Sequence, residues 1–339
     1  MIKGNKKYLI VLLSLGLIAI FLLNLTLGSV AIPLTDIIKI LLGGEPENTA
    51  WTKIIIDFRL PRAITATLAG SALGISGLQM QTLFSNALAG PFVLGINSGA
   101  SLGVALVVLM TDSLLGNFGF WANISSIFAA SLGAATVLLL VLLVSRYISD
   151  SNTLLVLGLM FSYGTSSIVS ILIYFSATEQ MRSYIIWTMG SFSGVTNTQL
   201  PIFAAQIILG VSLAVISIKS LNALLLGETQ ATSLGINIRL ARFWIVISTA
   251  FLAGGVTAFC GPIAFLGLAV PHLARNLLKT ANHRSLFPTV AILGAILALF
   301  ANLVAQLPGS QLILPLNSVT ALLGSPIVIW VILRRRFIN

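Results

Sequence analysis

Side chains that could do catalytic or metal-binding chemistry are few in this chain. His272 and His283 are the only histidines, Cys260 is the only cysteine, and no His-Glu-x-x-His zinc motif is present. Ser98 stands outside a Gly-x-Ser-x-Gly frame and has no evident histidine partner. There is also no G-x-x-x-x-G-K-[ST] nucleotide-binding loop. We therefore predict that the chain is not an enzyme and that it needs no metal or cofactor.

The histidines favour structural roles over metal binding. His272 has no second ligand at metal-site spacing, so a structural or interface role is favoured. His283 is predicted to be an exposed loop residue. The sequence therefore gives little support for a serine or metal protease acting within the membrane.

One polar stripe follows a helical spacing inside an otherwise apolar run. Ser162, Ser166 and Ser170 recur every four residues, and Tyr174 continues the series. Such a stripe is typical of a translocation surface. Hydroxyl groups bonded to carbonyls of their own helix explain it equally well.

The composition indicates a polytopic membrane protein. Of 339 residues, 57% are hydrophobic and only 8% are charged, and the mean hydropathy is +1.05. The net charge of +10 fits Lys and Arg at helix ends better than nucleic-acid binding. One cysteine excludes a disulfide framework within the chain.

Apolar runs of membrane-spanning length divide the chain into ten predicted helices. They lie at 8–27, 61–83, 92–110, 121–145, 153–175, 200–218, 243–260, 262–278, 286–306 and 314–333. The polar stretch 28–53 is predicted to be an external loop with one short amphipathic helix. With both termini in the cytoplasm, thirteen of the eighteen Lys and Arg residues lie inside, as the positive-inside rule requires. No acidic or basic residue then lies deep in a span, which disfavours a proton- or sodium-driven carrier.

A polar segment beyond the middle of the chain, residues 219–242, separates two apolar runs. Its sequence is KSLNALLLGETQATSLGINIRLAR, with a basic residue at each end. The predicted topology places it on the cytoplasmic face.

Small residues predict close helix packing. Gly70 and Gly74 form a GxxxG pair, and Gly95, Gly99 and Gly103 share one helix face. Because apolar helices gain little from hydrophobic burial within lipid, such faces pack closely. Packing inside one subunit is favoured over a subunit interface.

Two segments of the chain are alike. Arg59-Leu-Pro-Arg62 precedes Ala69-Gly70 and Gly77, whereas Arg239-Leu-Ala-Arg242 precedes Ala253-Gly254 and Gly261 at the same Ala-Gly to Gly spacing. They enter the membrane from opposite sides in the predicted topology, which is typical of an inverted transporter repeat. Chance is the alternative explanation for so short a match.

Several motifs in order resemble the permease subunits of ABC importers for iron-siderophores, haem and vitamin B12, the FecCD-like type II importers. The resemblance covers nearly the whole chain. The motifs are Phe58-Arg-Leu-Pro-Arg62, Gly77-Leu-Gln-Met-Gln81, Asn86-Ala-Leu-Ala-Gly-Pro91, the glycine-rich run from Leu94 to Gly103, Gly227-Glu228 through Ala231 to Leu234-Gly235, and the run from Gly261 through Pro271-His272 to Arg275.

The resemblance implies an all-α permease of ten transmembrane helices, one domain covering 1–339, in a bacterial cytoplasmic membrane. It further implies a homo- or heterodimer, two cytoplasmic ATPase subunits and an extracytoplasmic substrate-binding protein, with no nucleic acid. The cargo would be a metal chelate, moved by alternating access. An ATP-independent secondary carrier or channel is the alternative function.

Site roles also follow from the resemblance. ATPase coupling would fall to residues 219–242, which we call the coupling loop, through Gly227, Glu228, Ala231, Leu234 and Gly235. Arg59 and Arg62 would dock acidic residues of the binding protein, for which the bidentate guanidinium is suited. Without the resemblance, the two arginines would be interfacial anchors.

This chain departs from the family pattern at three places. The acid and arginine of the usual A-D-L-L-A-R stretch are Asn302 and Gln306, which implies fewer ion pairs in docking. The usual N-P-L-A is Asn86-Ala-Leu-Ala89. Asn317 replaces a usual glycine and either faces the translocation pathway or caps a helix.

Overall fold

The computed structural model describes residues 2–92, 94–114, 121–145, 151–310 and 312–336. Within these ranges the chain is helical and contains no strand, which confirms the all-α part of the predicted fold class. The helices are α1 Ile2–Thr26, α2 Leu34–Leu41, α3 Thr49–Leu83, α4 Ile96–Leu114, α5 Trp121–Ser145, α6 Ser151–Phe175, α7 Thr178–Thr188, α8 Leu200–Ile216, α9 Ile218–Leu224, α10 Glu228–Ser233, α11 Ile238–Cys260, α12 Leu266–Leu278, α13 His283–Gln306 and α14 Leu316–Arg336.

Each of the ten apolar runs predicted from sequence coincides with one of these helices. By length and composition, five helices of the described ranges are able to cross a membrane. The count becomes six if α8 and α9, which meet at an angle of 51°, form one bent span. The number of ten crossings therefore stays a prediction.

The residues form two compact units. The first comprises Met1–Ile75, Ser191–Ala205 and Ala264–Asn339. In it, α1 and α12 pack against α13, and α14 packs against α12 and α13. The second comprises Ser76–Gly190 and Gln206–Ile263. There α4 packs against α5, α6 and α7, and α5 also contacts the second half of α11. The single domain predicted over 1–339 stays a prediction.

The segment after α1 holds the short amphipathic helix predicted for it. Asp36, Ile37 and Ile40 are the buried residues of α2. The Asp36 carboxylate accepts a hydrogen bond from Lys39 Nζ at 3.1 Å within the same helix. The two residues are one helical turn apart, and the Lys39 ammonium neutralises the Asp36 carboxylate on the buried face of α2.

Glycines set the closest helix contacts within each unit. A Cβ atom on Gly70 would overlap the carbonyl oxygen of Gly294, and one on Gly99 would overlap that of Gly133. The side chain of Ser71 also donates to the Ala291 carbonyl at 2.9 Å. These contacts confirm that the predicted small-residue faces pack inside one chain.

Asparagine side chains begin three of the helices. Asn48 accepts from the backbone N–H of Ala50 at 2.9 Å, and Asn237 accepts from that of Leu240 at 3.1 Å. Asn282 caps α13 in the same way. Each cap satisfies an N–H group that has no partner inside the helix.

Two helices contain a wider turn. Residues Ile54–Arg59 of α3 and Ala250–Gly254 of α11 adopt π-helical hydrogen bonding, which fits one extra residue into a turn. The two similar segments noted in the sequence differ here. Gly77 lies inside α3, whereas Gly261 follows the end of α11 with φ of 73°. The inverted repeat stays a prediction.

Candidate functional site

The coupling loop folds into two short helices and the first turn of α11. Gly227 and Gly235 flank α10 with φ of 96° and 82°. Residues with a Cβ rarely adopt these angles, so the sequence permits the two sharp turns by placing glycine there. The turns fold the loop into a compact hairpin of helices rather than an extended connection.

An ion pair joins this loop to α11. Arg242 Nη2 lies 3.1 Å from Glu228 Oε1, and the Arg242 side chain is 10% exposed against 43% for Glu228. Glu228 is the only acidic residue after Glu179. Ala231, one turn further on in α10, is fully buried. Glu228 and Ala231 therefore fix the loop to the body of the second unit.

The other face of the loop is apolar and exposed. Leu226, Leu234 and Leu240 are 59%, 63% and 54% exposed. A polar, exposed loop that presents three such leucines is typical of a protein contact surface. Of the five residues predicted for coupling, Leu234 and Gly235 are exposed, while Ala231 supports them from beneath.

Arg59 is held inside its own chain. It is 7% exposed, and its guanidinium donates to the carbonyl oxygens of Leu25 at 2.6 Å, Thr26 at 3.0 Å and Val30. These carbonyls lie at and just beyond the end of α1, where the helix leaves carbonyls without partners. A cation at this helix end is also favoured by the helix dipole. Arg59 thus ties α1 to α3.

Arg62 lies one turn further along α3 and is half-buried. Its Nε atom is buried and has no hydrogen-bond partner. The hydroxyl of Thr65, the next residue on this face, is likewise buried without a partner. Between the two arginines, Arg62 is therefore the better candidate for contacts outside the chain.

The serine stripe of α6 is largely bonded to its own helix. Ser162 donates to the Gly158 carbonyl at 2.9 Å, and Ser170 donates to the Ser166 carbonyl at 2.9 Å. This is the second of the two interpretations left open by the sequence. Tyr174 is 82% exposed, so the stripe lies on an outer face of the second unit. Its role in translocation stays a prediction.

Asn317 makes a hydrogen bond that was predicted neither by a position on the pathway nor by a helix cap. Its side-chain oxygen accepts from the backbone N–H of Ala264 at 3.0 Å. Ala264 belongs to the irregular stretch that precedes α12. Asn317 therefore fixes that stretch to the start of α14 instead of capping its own helix.

The prediction for His283 was wrong. His283 is fully buried and is the first residue of α13, because Asn282 caps the helix one residue earlier. Its ring lies 6.1 Å from that of Phe287 between centroids. Cys260 is buried as well. Over the described ranges, no group of three His, Cys, Asp or Glu side chains has metal-binding geometry.

A buried polar cluster in the second unit was missed. The Ser248 hydroxyl lies 2.9 Å from the Gly210 carbonyl oxygen and 3.2 Å from Gln79 Oε1 and shares its one proton between them. Thr249 donates to Gln79 Oε1 at 3.4 Å. Gln79 Nε2 is buried without a partner. The sequence carries a signal for it, because Gln79 lies in the motif Gly77-Leu-Gln-Met-Gln81 and polar residues inside spans mark functional positions.

Comparison with known proteins places these features in context. Residues 16–334 match the model of the FecCD transport family. The chain is 35% identical over 325 residues to the hemin transport system permease protein HmuU of Yersinia pestis, covering 96% of each chain. It is 35% identical over 280 residues to the vitamin B12 import system permease protein BtuC of Citrobacter koseri, covering 83% of each.

A solved structure has the same fold. It is described as an inward-facing conformation of a metal-chelate type ABC transporter, and its TM-score against this chain is 0.85. The sequences are 27% identical, and the match covers 97% of this chain and 99% of the other. The similarity therefore extends over the whole length of both chains.

Proposed function

Because the chain belongs to the FecCD transport family, we propose that it is the permease subunit of an ATP-driven importer and carries a metal chelate across a bacterial cytoplasmic membrane. The observation that carries this proposal is full-length similarity to permeases named for hemin and for vitamin B12. Both cargoes are large metal-bearing macrocycles, and an iron-siderophore belongs to the same broad class. The cargo is therefore a bulky chelate of this kind.

The permease works with partners that supply its energy and its cargo. It pairs with a second permease subunit, which is either an identical copy or a related chain. Two cytoplasmic ATPase subunits bind and hydrolyse ATP, and an extracytoplasmic binding protein delivers the chelate. The absence of a G-x-x-x-x-G-K-[ST] loop from the sequence supports ATP binding by the partner.

The coupling loop is the contact for the ATPase. Its exposed Leu226 and Leu234 offer an apolar surface, and the pair formed by Glu228 and Arg242 joins that surface to α11. When the ATPases close, they push on α10, and the ion pair passes the displacement to α11. Rigid-body movement of this kind opens the pathway alternately to each side of the membrane.

Docking of the binding protein takes place on the extracytoplasmic side, close to the start of α3. Arg62 makes the ion pair with an acidic side chain of that partner, because its guanidinium suits a carboxylate. Arg59 supports it by holding the end of α1 in place. Both termini lie in the cytoplasm, and the chain crosses the membrane ten times.

Transport into sealed vesicles tests the proposal. The chain is reconstituted into proteoliposomes together with its ATPase subunits. The binding protein is added on the side that carries the extracytoplasmic face, and an iron-siderophore, haem and a corrinoid are tested in parallel. We expect one chelate to accumulate only when ATP is supplied to the ATPase side, with or without a proton gradient. Accumulation without ATP while a proton gradient is kept would instead identify a secondary carrier.

A further inference from the structure

The second unit contains an apolar cavity of about 470 Å³ beside the wide turn of α11. Its walls come from α5, α8 and α11, with Ile96 of α4 at one side. Phe251 and Gly254 of the π-helical turn form part of the lining. Ser131 and Gln206 are its polar lining side chains, and Gln206 Nε2 lies 3.5 Å from the Phe251 carbonyl oxygen.

The cavity lies in the middle of the membrane-spanning helices. Ala250 is twelve residues from the start of α11, which corresponds to about 18 Å along a helix. The lining residues of α5, from Ser131 to Leu139, likewise occupy the middle of that helix. A bilayer's hydrocarbon core is roughly 30 Å thick, so the cavity is at the depth of lipid tails.

Water is a poor occupant of this space. At roughly 30 Å³ per molecule, 470 Å³ corresponds to about sixteen waters, each of which needs two to four polar partners. Two polar side chains cannot satisfy that number. An engineered apolar cavity of roughly 150 Å³ stays dry and binds benzene, and this cavity is about three times larger, so it accepts a longer apolar molecule.

The cavity is also open toward the surroundings of the unit. Leu139 and Phe243, at its rim, are 58% and 42% exposed. At this depth the surrounding medium is hydrocarbon. From its volume, its apolar lining and its depth, we propose that the cavity binds one acyl chain of a membrane phospholipid, which packs against the π-helical turn of α11.

Photocrosslinking provides the test. The purified chain is placed in nanodiscs that contain a phosphatidylglycerol with a diazirine at the middle of one acyl chain, and labelled peptides are located by mass spectrometry after irradiation. We expect label to concentrate on the cavity segments of α5 and α11. Equal labelling of all apolar helix faces would overturn the proposal.

Variants that fill the cavity sharpen the experiment. In Ala135→Phe the phenyl ring occupies the space that the acyl chain needs, so labelling of the α11 segment should fall by about tenfold. Ser131→Leu is a smaller filling change that decides the matter if Ala135→Phe does not fold. Thr136→Leu is the matched control, because Thr136 is an exposed residue of the same helix outside the cavity lining and its labelling should stay unchanged.

Two results would contradict the acyl-chain assignment. One is undiminished labelling of the cavity in a folded filling variant. The other is saturable displacement of the label by haem, a corrinoid or an iron-siderophore, which would make the cavity a cargo site. Both measurements use the permease alone, so they do not depend on ATP-driven transport.

Discussion

Glu228 and Arg242 face each other across the coupling loop, with Oε1 of one 3.1 Å from Nη2 of the other. Glu228 is the first residue of α10, and Arg242 lies in the second turn of α11. The pair therefore links the segment that we assign to the ATPase contact with a helix of the body.

Removal of the charge on Glu228 should weaken this link. In Glu228→Gln we expect a loss of about 0.5–1 kcal/mol in the free energy of unfolding, because the carboxylate is partly exposed. Uptake per ATP hydrolysed should fall severalfold. Arg239→Gln, an exposed arginine of the same helix, is the control. Partial recovery in the exchanged pair Glu228→Arg with Arg242→Glu would support a link within the chain, whereas no recovery would argue that Glu228 contacts the ATPase alone.

A bulky residue at Gly235 should uncouple the ATPase. Gly235 has φ of 82° in open space, so Gly235→Leu adds both backbone strain and a side chain on the exposed face. We expect ATP hydrolysis to continue while uptake is lost. Gly43→Leu is the matched control, because Gly43 has φ of 79° in equally open space outside the coupling loop. Similar loss of uptake in both variants would assign the effect to strain alone.

The two arginines of α3 should separate into a structural and a docking residue. In Arg59→Glu the carbonyls at the end of α1 lose their donor, at a cost of roughly 1–3 kcal/mol for each buried group left unpaired. We expect a lower unfolding temperature. Arg62→Glu should instead weaken association with the binding protein, measured by surface plasmon resonance. Arg182→Glu, an exposed arginine of α7, serves as control. Unchanged affinity in Arg62→Glu would remove this residue from the interface.

The contact between Gly70 and Gly294 should tolerate no Cβ atom. Gly70→Ala would place a methyl group on the Gly294 carbonyl, so α3 and α13 must move apart. We expect a loss of about 1–3 kcal/mol in the free energy of unfolding, as for other overpacked sites. Gly164→Ala is the matched control in a helix, because a Cβ there meets nothing within 4 Å. That variant should be neutral or more stable by up to about 1 kcal/mol. Equal stability of both variants would contradict the assigned packing.

The helices themselves were accessible from sequence. Hydropathy locates an apolar span without tertiary information, because a segment that crosses the lipid must be a long apolar helix whatever its neighbours are. The amphipathic α2 followed from its polar surroundings, and the close contacts of Gly70 and Gly99 followed from the spacing of small residues. Each of these depends on local pattern alone.

The contacts at the candidate sites were not accessible in the same way. Arg59 binds carbonyls about thirty residues earlier in the chain, and Asn317 binds an N–H more than fifty residues earlier. Such pairings depend on how helices assemble, and no periodicity encodes them. His283 was misplaced for a local reason, because the capping role of Asn282 moves the start of α13 ahead of the apolar run.

The wide turn of α11 has a consequence for the length of that helix. Before the turn, Phe243 and Trp244 are exposed, whereas residues 252–258 after it are all buried. Deleting one residue there, such as Ala250, would remove the extra residue and restore ordinary helical winding, so the two halves would keep their present orientation. The side chains now in the interior would stay there. A single-residue deletion, normally harmless only in loops, should therefore be tolerated at this turn of a buried helix.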